Sequence, residues 1–222
     1  MQEICVKNYD GFIFDVDGTL TSTNELIFES FNYITKKYIN KTYTPEGLIS
    51  MFGPTEEELI EQLTGKALSD DACRDYMDYY SERHNELADL YPGMDEILKV
   101  IKVAGIPMSI YTGKGRSTTA ITLNKLGISD YFGLIVTGDD IQGHKPSPEG
   151  ITKFLEKFTL NKERVLMLGD APADIQAARA AGIKIASVVW DSYAKETVMN
   201  SGSDFVFHTV KELKDFILLN IY

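Results

Sequence analysis

The stretch Gly11-Phe12-Ile13-Phe14-Asp15-Val16-Asp17-Gly18-Thr19 decides the fold. A short apolar run that ends abruptly in acids and glycine reads as a buried strand feeding a loop. Runs of the same kind recur after residue 90, at 107–111, 133–137, 165–168, 185–190 and, shorter, 205–207. Helical spacing fills the gaps between them. Ile97, Leu98, Ile101 and Ala104 share one face of a helix over 94–104, and Ile151, Phe154, Leu155 and Phe158 share one over 148–158. An alanine-rich helix over 173–181 closes at Gly182, a natural C-terminal stop. Strands alternating with helices predict an α/β fold with a parallel sheet, right-handed crossovers and helices on both faces.

Residues 21–89 break the alternation. They hold no convincing strand and read as several helices. Thr44-Pro45 supplies an N-cap followed by proline at the first helical position. Thr55 and Glu58 have capping-box spacing ahead of Leu59, Ile60 and Leu63. The expectation is an α-helical domain, 21–89, inserted into a core formed by 1–20 and 90–222, with Tyr91-Pro92-Gly93 marking the return.

Composition narrows the function. The 222 residues are 44% hydrophobic and 25% charged, ordinary for a globular protein with a real core. Lys and Arg total 22 against 33 Asp and Glu, a formal charge of -11. Such an acidic balance argues against binding to nucleic acid, whose backbone affinity needs clustered Lys and Arg, and against docking on an anionic membrane surface. Cys5 and Cys73 are too few and too far apart for a disulfide framework or a metal motif, and read as free thiols. The first residues, Met1 to Lys7, lack the pattern of a signal peptide, and no run approaches the ~20 apolar residues that span a bilayer. The expected location is cytoplasmic.

Four features fall at strand ends: Asp15-x-Asp17-Gly18-Thr19, Tyr111-Thr112-Gly113-Lys114, Lys145-Pro146 and Gly169-Asp170 with Asp174. Ligands of open parallel sheets bind outside the carboxyl ends of the strands, so all four can converge. Asp15, Asp17, Asp170 and Asp174 held together repel one another unless a cation joins them. An open, all-oxygen site suits Mg²⁺. Lys145, the Thr112 hydroxyl and backbone N–H groups of the turn at Gly113 add an anion site for phosphate oxygens. Phosphoryl transfer needs these parts. Asp15 is the candidate nucleophile, and Asp17 the candidate acid for the leaving oxygen and base for water.

This series resembles the haloacid dehalogenase superfamily. Asp15 to Thr21 is similar to its first motif, Thr112 to its second, Lys145 to its third, and Gly169-Asp170 with Asp174 to its fourth. The resemblance implies a Rossmann-like core and a helical cap inserted after the first motif, closing over the site. It implies Mg²⁺ held by the Asp15 side chain, the Asp17 backbone carbonyl and Asp170, with Asp174 in support. It also implies that Lys145 steadies the nucleophile and phosphate, while Thr112 and the Gly113 backbone bind phosphate. True dehalogenases lack the second acid, so Asp17 points to phosphate chemistry. The chain most resembles the phosphoglycolate phosphatase group, and Thr23-Asn24-Glu25-Leu26 and Phe52-Gly53-Pro54 look like its pyrophosphatase side. The expected substrate is a small phosphorylated metabolite, and the expected assembly a monomer or homodimer. Two alternatives stand: a phosphomutase like β-phosphoglucomutase, disfavoured because 21–31 holds no histidine, and a signalling module that stores phosphate on Asp15.

Other features have plainer readings. Gly113-Lys114-Gly115-Arg116 lacks the order of a nucleotide loop, and Lys114 and Arg116 read as solvated. His84, His144 and His208 show no metal spacing. Tyr76, Tyr79 and Tyr80 read as packing, and Glu56-Glu57-Glu58 as helix-start charge. Gly53-Pro54-Thr55 is a candidate specificity loop.

Overall fold

A computed structural model describes residues 8–221; Cys5 and the rest of the 1–7 segment lie outside the described residues. Among the described residues, the strands are β1 (Gly11–Phe14), β2 (Met108–Tyr111), β3 (Leu134–Val136), β4 (Val165–Gly169), β5 (Lys184–Val188) and β6 (Phe205–Phe207). They form one parallel sheet in the order β3-β2-β1-β4-β5-β6. β1 is central. The chain winds outward through β2 and β3, then returns to pair β4 with the other side of β1, so the order reverses at β1 and the crevice above it is the natural ligand position.

Alternation along β1 builds both faces of the core. Phe12 and Phe14 point into one layer, under α5 (Met94–Val103) and α10 (Val210–Ile221). Ile13 points into the other, under α7 (Glu149–Phe158) and α8 (Pro172–Ala181). Each of these three side chains is fully buried, and such burial stabilises by about 1.5–3 kcal/mol apiece. Gly182 ends α8 in the left-handed conformation (φ 74°), as the sequence predicts. A further helix, α6 (Arg116–Lys125), follows β2, and α9 (Lys195–Asn200) follows β5.

The stretch between β1 and β2 is helical: α1 (Asn24–Ile39), α2 (Pro45–Ile49), α3 (Glu56–Thr64) and α4 (Lys66–Leu87). These helices bury their own apolar cluster, including Leu26, Phe31, Leu48, Leu59, Tyr76 and Tyr80. The caps are those the sequence predicts. Thr44 Oγ1 accepts from Gly47 N–H at 3.2 Å. Thr55 and Glu58 close a reciprocal capping box, in which Thr55 N–H donates to Glu58 Oε2 at 2.8 Å. Tyr76 and Tyr80 are buried in packing. No described helix is long and apolar enough to cross a membrane.

Candidate active site

Asp15 follows the last residue of β1, Thr112 the last of β2 and Asp170 the last of β4, so the crevice collects all three. They line one cavity of about 450 Å³ together with Asp17, Gly113, Lys145 and Asp174. Carboxylate oxygens of Asp15, Asp170 and Asp174 lie within 4.8 Å of one another.

Lys145 sits among these acids. Its Nζ donates to Asp174 Oδ1 at 2.6 Å and lies 3.0 Å from Asp15 Oδ1. The second contact is a charge pair without hydrogen-bond alignment, so Asp15 Oδ1 is buried with no hydrogen-bond partner. Burial opposes the Lys145 charge, but Asp15 and Asp174 outweigh it and raise its pKa. Asp174 also accepts from Ala171 N–H at 3.0 Å, fixing its carboxylate at the start of α8.

Glycines let the acids approach. A Cβ on Gly18, which has φ +75°, would lie 2.5 Å from Asp170 Oδ2. A Cβ on Gly169 would run into the Asp174 carboxyl. Thr19 Oγ1 donates to Asp170 Oδ1 at 3.3 Å.

The electrostatics suit a divalent cation. Burial first, then the charges of Asp15 and Asp174, push the Asp170 carboxyl well above the usual carboxylate range. Burial and Asp15 push Asp174 up to about 6 against the pull of Lys145. Three close carboxylates form a hard-donor set that repels itself until a divalent cation enters.

The Asp17 side chain stands outside that cluster. It accepts from the Thr23 hydroxyl, and from Lys114 Nζ at 3.2 Å. Burial raises its pKa, Lys114 and Thr23 lower it, and the upward push prevails. Thr112 is buried, and its Oγ1 accepts from Lys114 N–H at 3.2 Å. Gly113 faces open space, with nothing within 4 Å of where a Cβ would stand.

Lys114 corrects the sequence reading. Its side chain is fully buried, not solvated. Nζ lies 3.2 Å from Glu56 Oε1 as well as from Asp17, and 4.7 Å above the Tyr80 ring. Glu56 is likewise more than helix-start charge. It accepts from Gly115 N–H at 2.6 Å and from the Thr118 hydroxyl at 2.7 Å. Arg116 is exposed, as expected, and pairs with Asp140. His144 Nε2 lies 2.9 Å from Glu58 Oε2. Gly53 and Pro54 line the cavity.

Comparison with known proteins agrees with this geometry. Residues 12–188 match the model of the haloacid dehalogenase-like hydrolase family. Pyrophosphatase PpaX of Bacillus pumilus is 33% identical over 201 residues, 90% of this chain and 93% of that protein. A crystal structure described as a predicted phosphoglycolate phosphatase, from Haemophilus somnus, superposes with a TM-score of 0.83 at 22% identity, covering 94% of this chain and 98% of the other. A structure provisionally named a β-phosphoglucomutase, from Thermotoga maritima, has a TM-score of 0.75 at 26% identity, covering 94% and 98%.

Proposed function

The chain belongs to the haloacid dehalogenase-like hydrolase family, and from that premise we propose that it hydrolyses small phosphate compounds through a phospho-Asp15 intermediate. One observation carries the reading: carboxylate oxygens of Asp15, Asp170 and Asp174 converge within 4.8 Å, with Lys145 against Asp15 and Asp174.

Asp15 attacks phosphorus, forming the Asp15 O–P bond as the bond to the leaving oxygen breaks. Asp17 gives its proton to that oxygen; burial pushes its carboxyl above the ordinary carboxylate range, which favours the acid form. Water then attacks the acyl phosphate, Asp17 takes its proton back, and phosphate leaves. Lys145, beside Asp15, orients the nucleophile and faces the charge on the phosphate oxygens. The Thr112 hydroxyl and the open Gly113 backbone hold those oxygens. Asp15, Asp170 and the Asp17 carbonyl, with Asp174 in support, would hold Mg²⁺, which when bound would offset phosphate charge and polarise phosphorus. Helices α1–α4 act as a cap that excludes water.

Relatives named for pyrophosphate and phosphoglycolate make those the first compounds to try. The test is phosphate release with Mg²⁺ across a panel of small phosphates, with Asp15→Asn beside the wild type. Turnover should vanish in the variant. Persistent turnover by Asp15→Asn excludes Asp15 as nucleophile. The β-phosphoglucomutase-like neighbour supports a second reading, phosphomutase, which a requirement for a bisphosphate activator would identify.

A further inference from the structure

The Asp17 carboxyl is held clear of the three-acid cluster by two donors. Its Oδ1 accepts from the Thr23 hydroxyl, and its Oδ2 accepts from Lys114 Nζ at 3.2 Å. Both oxygens are thereby fixed in direction. Asp17 nevertheless lines the cavity, and its side chain keeps 23% exposure.

Lys114 has no such access. Its side chain is fully buried, and its ammonium spends its contacts inside the protein. They are Asp17 Oδ2, Glu56 Oε1 at 3.2 Å and the Tyr80 ring, 4.7 Å from the centroid. The backbone is anchored as well. Lys114 N–H donates to Thr112 Oγ1 at 3.2 Å, and Lys114 C=O accepts from Gly138 N–H at 3.0 Å. A lysine enclosed in this way acts on the reaction only through what it holds, and what it holds at the cavity is Asp17.

The other side of the ammonium is set from the insertion. Glu56, in the first turn of α3, accepts from Gly115 N–H at 2.6 Å and from the Thr118 hydroxyl at 2.7 Å, both on the sheet domain. Those two donors already seat α3 on α6. A buried lysine adds little to such a tie, because removing a charge from water costs about as much as its ion pairs return. An ammonium between two carboxylates keeps its place by virtue of both, and without one it shifts toward the other. The series from Glu56 through Lys114 to Asp17 therefore fixes where the Asp17 carboxyl points.

We infer that Lys114, braced by Glu56, is a positioning residue for leaving-group protonation: it aims the Asp17 carboxyl at the oxygen that departs from phosphorus. The inference rests on the reading of Asp17 as the acid and adds two residues to it. In that step the Asp15 O–P bond forms, the bond from phosphorus to the leaving oxygen breaks, and the Asp17 proton passes to that oxygen. Lys114 neither gives nor takes a proton.

The test varies the need for that proton. kcat/KM is measured with Mg²⁺ for ring-substituted phenyl phosphates, from phenyl phosphate, whose leaving oxygen needs protonation, to 2,4-dinitrophenyl phosphate, whose leaving oxygen departs as the anion. Asp17→Asn should cost phenyl phosphate about 10²-fold or more and the dinitrophenyl ester no more than about threefold, which establishes the acid. Lys114→Met should show the same selectivity, with about tenfold lost on phenyl phosphate and no more than about threefold on the dinitrophenyl ester. Glu56→Gln keeps the volume and a hydrogen-bonding side chain, and should shift the ratio of the two esters the same way by about threefold. Partial unfolding lowers every ester alike and leaves that ratio unmoved, so a merely structural role does not reproduce the pattern. Lys114→Met placed on Asp17→Asn should add no further selectivity, because both act on one proton transfer. A uniform loss across the series in Lys114→Met, or in Glu56→Gln if Lys114→Met does not fold, overturns the inference while a selective Asp17→Asn keeps Asp17 as the acid. Selective loss in Lys114→Met beside uniform loss in Glu56→Gln overturns the part given to Glu56. Folded wild type inactive on the whole series, or uniform loss in Asp17→Asn, fails the underlying reading and takes the inference with it.

Discussion

Glu56, in the first turn of α3, accepts a hydrogen bond at 2.6 Å from the backbone N–H of Gly115, at the start of α6. The contact joins the helical insertion to the sheet domain across the site. A Cβ on Gly115 would lie 2.8 Å from Glu56 Oε2, so the glycine permits the approach. Burial opposes the Glu56 charge, but Lys114, the Gly115 N–H and the Thr118 hydroxyl outweigh it and hold its pKa down. Removing Glu56 strands Lys114 in a buried place with Asp17 alone. Glu56→Ala should therefore cost about 3–5 kcal/mol, the range for breaking a buried ion pair from one side. Glu61→Ala, at an exposed position of the same helix, should stay within about 0.5 kcal/mol. Urea denaturation of both variants decides it, and equal small losses would remove Glu56 as a tie between the two parts.

Gly18 is the second point of close approach. Its φ of +75° disfavours any side chain, and a methyl there would press on Asp170. Gly18→Ala should lose about 1–2 kcal/mol from the backbone alone. Displacing Asp170 should cost more in rate than in stability, roughly 10²-fold in kcat/KM for a shift near 1 Å. Steady-state kinetics beside a thermal melt separates the two effects. A variant with lower Tm and unchanged kcat/KM would show that Asp170 is free to move without consequence.

The fold was legible because its signals are local. Phe12, Ile13 and Phe14 run straight into acids, Thr55 and Glu58 stand three residues apart, and Gly182 closes an alanine-rich helix. Asp15, Thr112 and Asp170 were findable because a parallel sheet gathers its strand ends whatever the sequence distance between them. Lys114 and Glu56 were not. They lie 58 and more positions from their mutual partners, and a lysine beside glycines looks solvated until the packing of α3 on α6 encloses it. The one available hint was position: Lys114 stands two residues after Thr112, and Glu56 directly follows Gly53-Pro54-Thr55.

Metal should stabilise the chain visibly. Asp170 is raised well above its ordinary pKa by burial and by its acidic neighbours, so holding it ionised costs the metal-free fold stability. Mg²⁺ that binds the folded state should raise Tm, by the equivalent of about 2.7 kcal/mol at a hundredfold excess over Kd. Asp170→Asn removes one repelling charge and one ligand together. In EDTA its Tm should exceed that of the wild type, and Mg²⁺ should shift it little. A variant that melts below the wild type in EDTA and still responds fully to Mg²⁺ would contradict both halves.

His84 sets a pH dependence remote from the three-acid cluster. It lies on α4, is 1% exposed, and its Nε2 is 3.3 Å from the Thr122 hydroxyl, which also meets the Tyr80 hydroxyl at 2.9 Å. Burial chiefly, with the charges of Lys125 and Lys114, pulls its pKa down to about 4. The unfolded chain protonates this imidazole near the ordinary value of about 6.5. Between those limits the unfolded state binds the extra proton, so stability rises with pH. The contribution is complete above about 6.5 and is lost as pH falls toward 4. Depressed carboxylates such as Glu56 act in the same direction, so the wild-type profile alone is not diagnostic. His84→Gln keeps a polar partner for Thr122 and removes the titration. Between pH 7.5 and 5.0 the wild type should lose roughly 1–2 kcal/mol more than the variant in urea titrations. Parallel losses would mean that His84 takes up its proton in the folded protein as readily as in the unfolded chain.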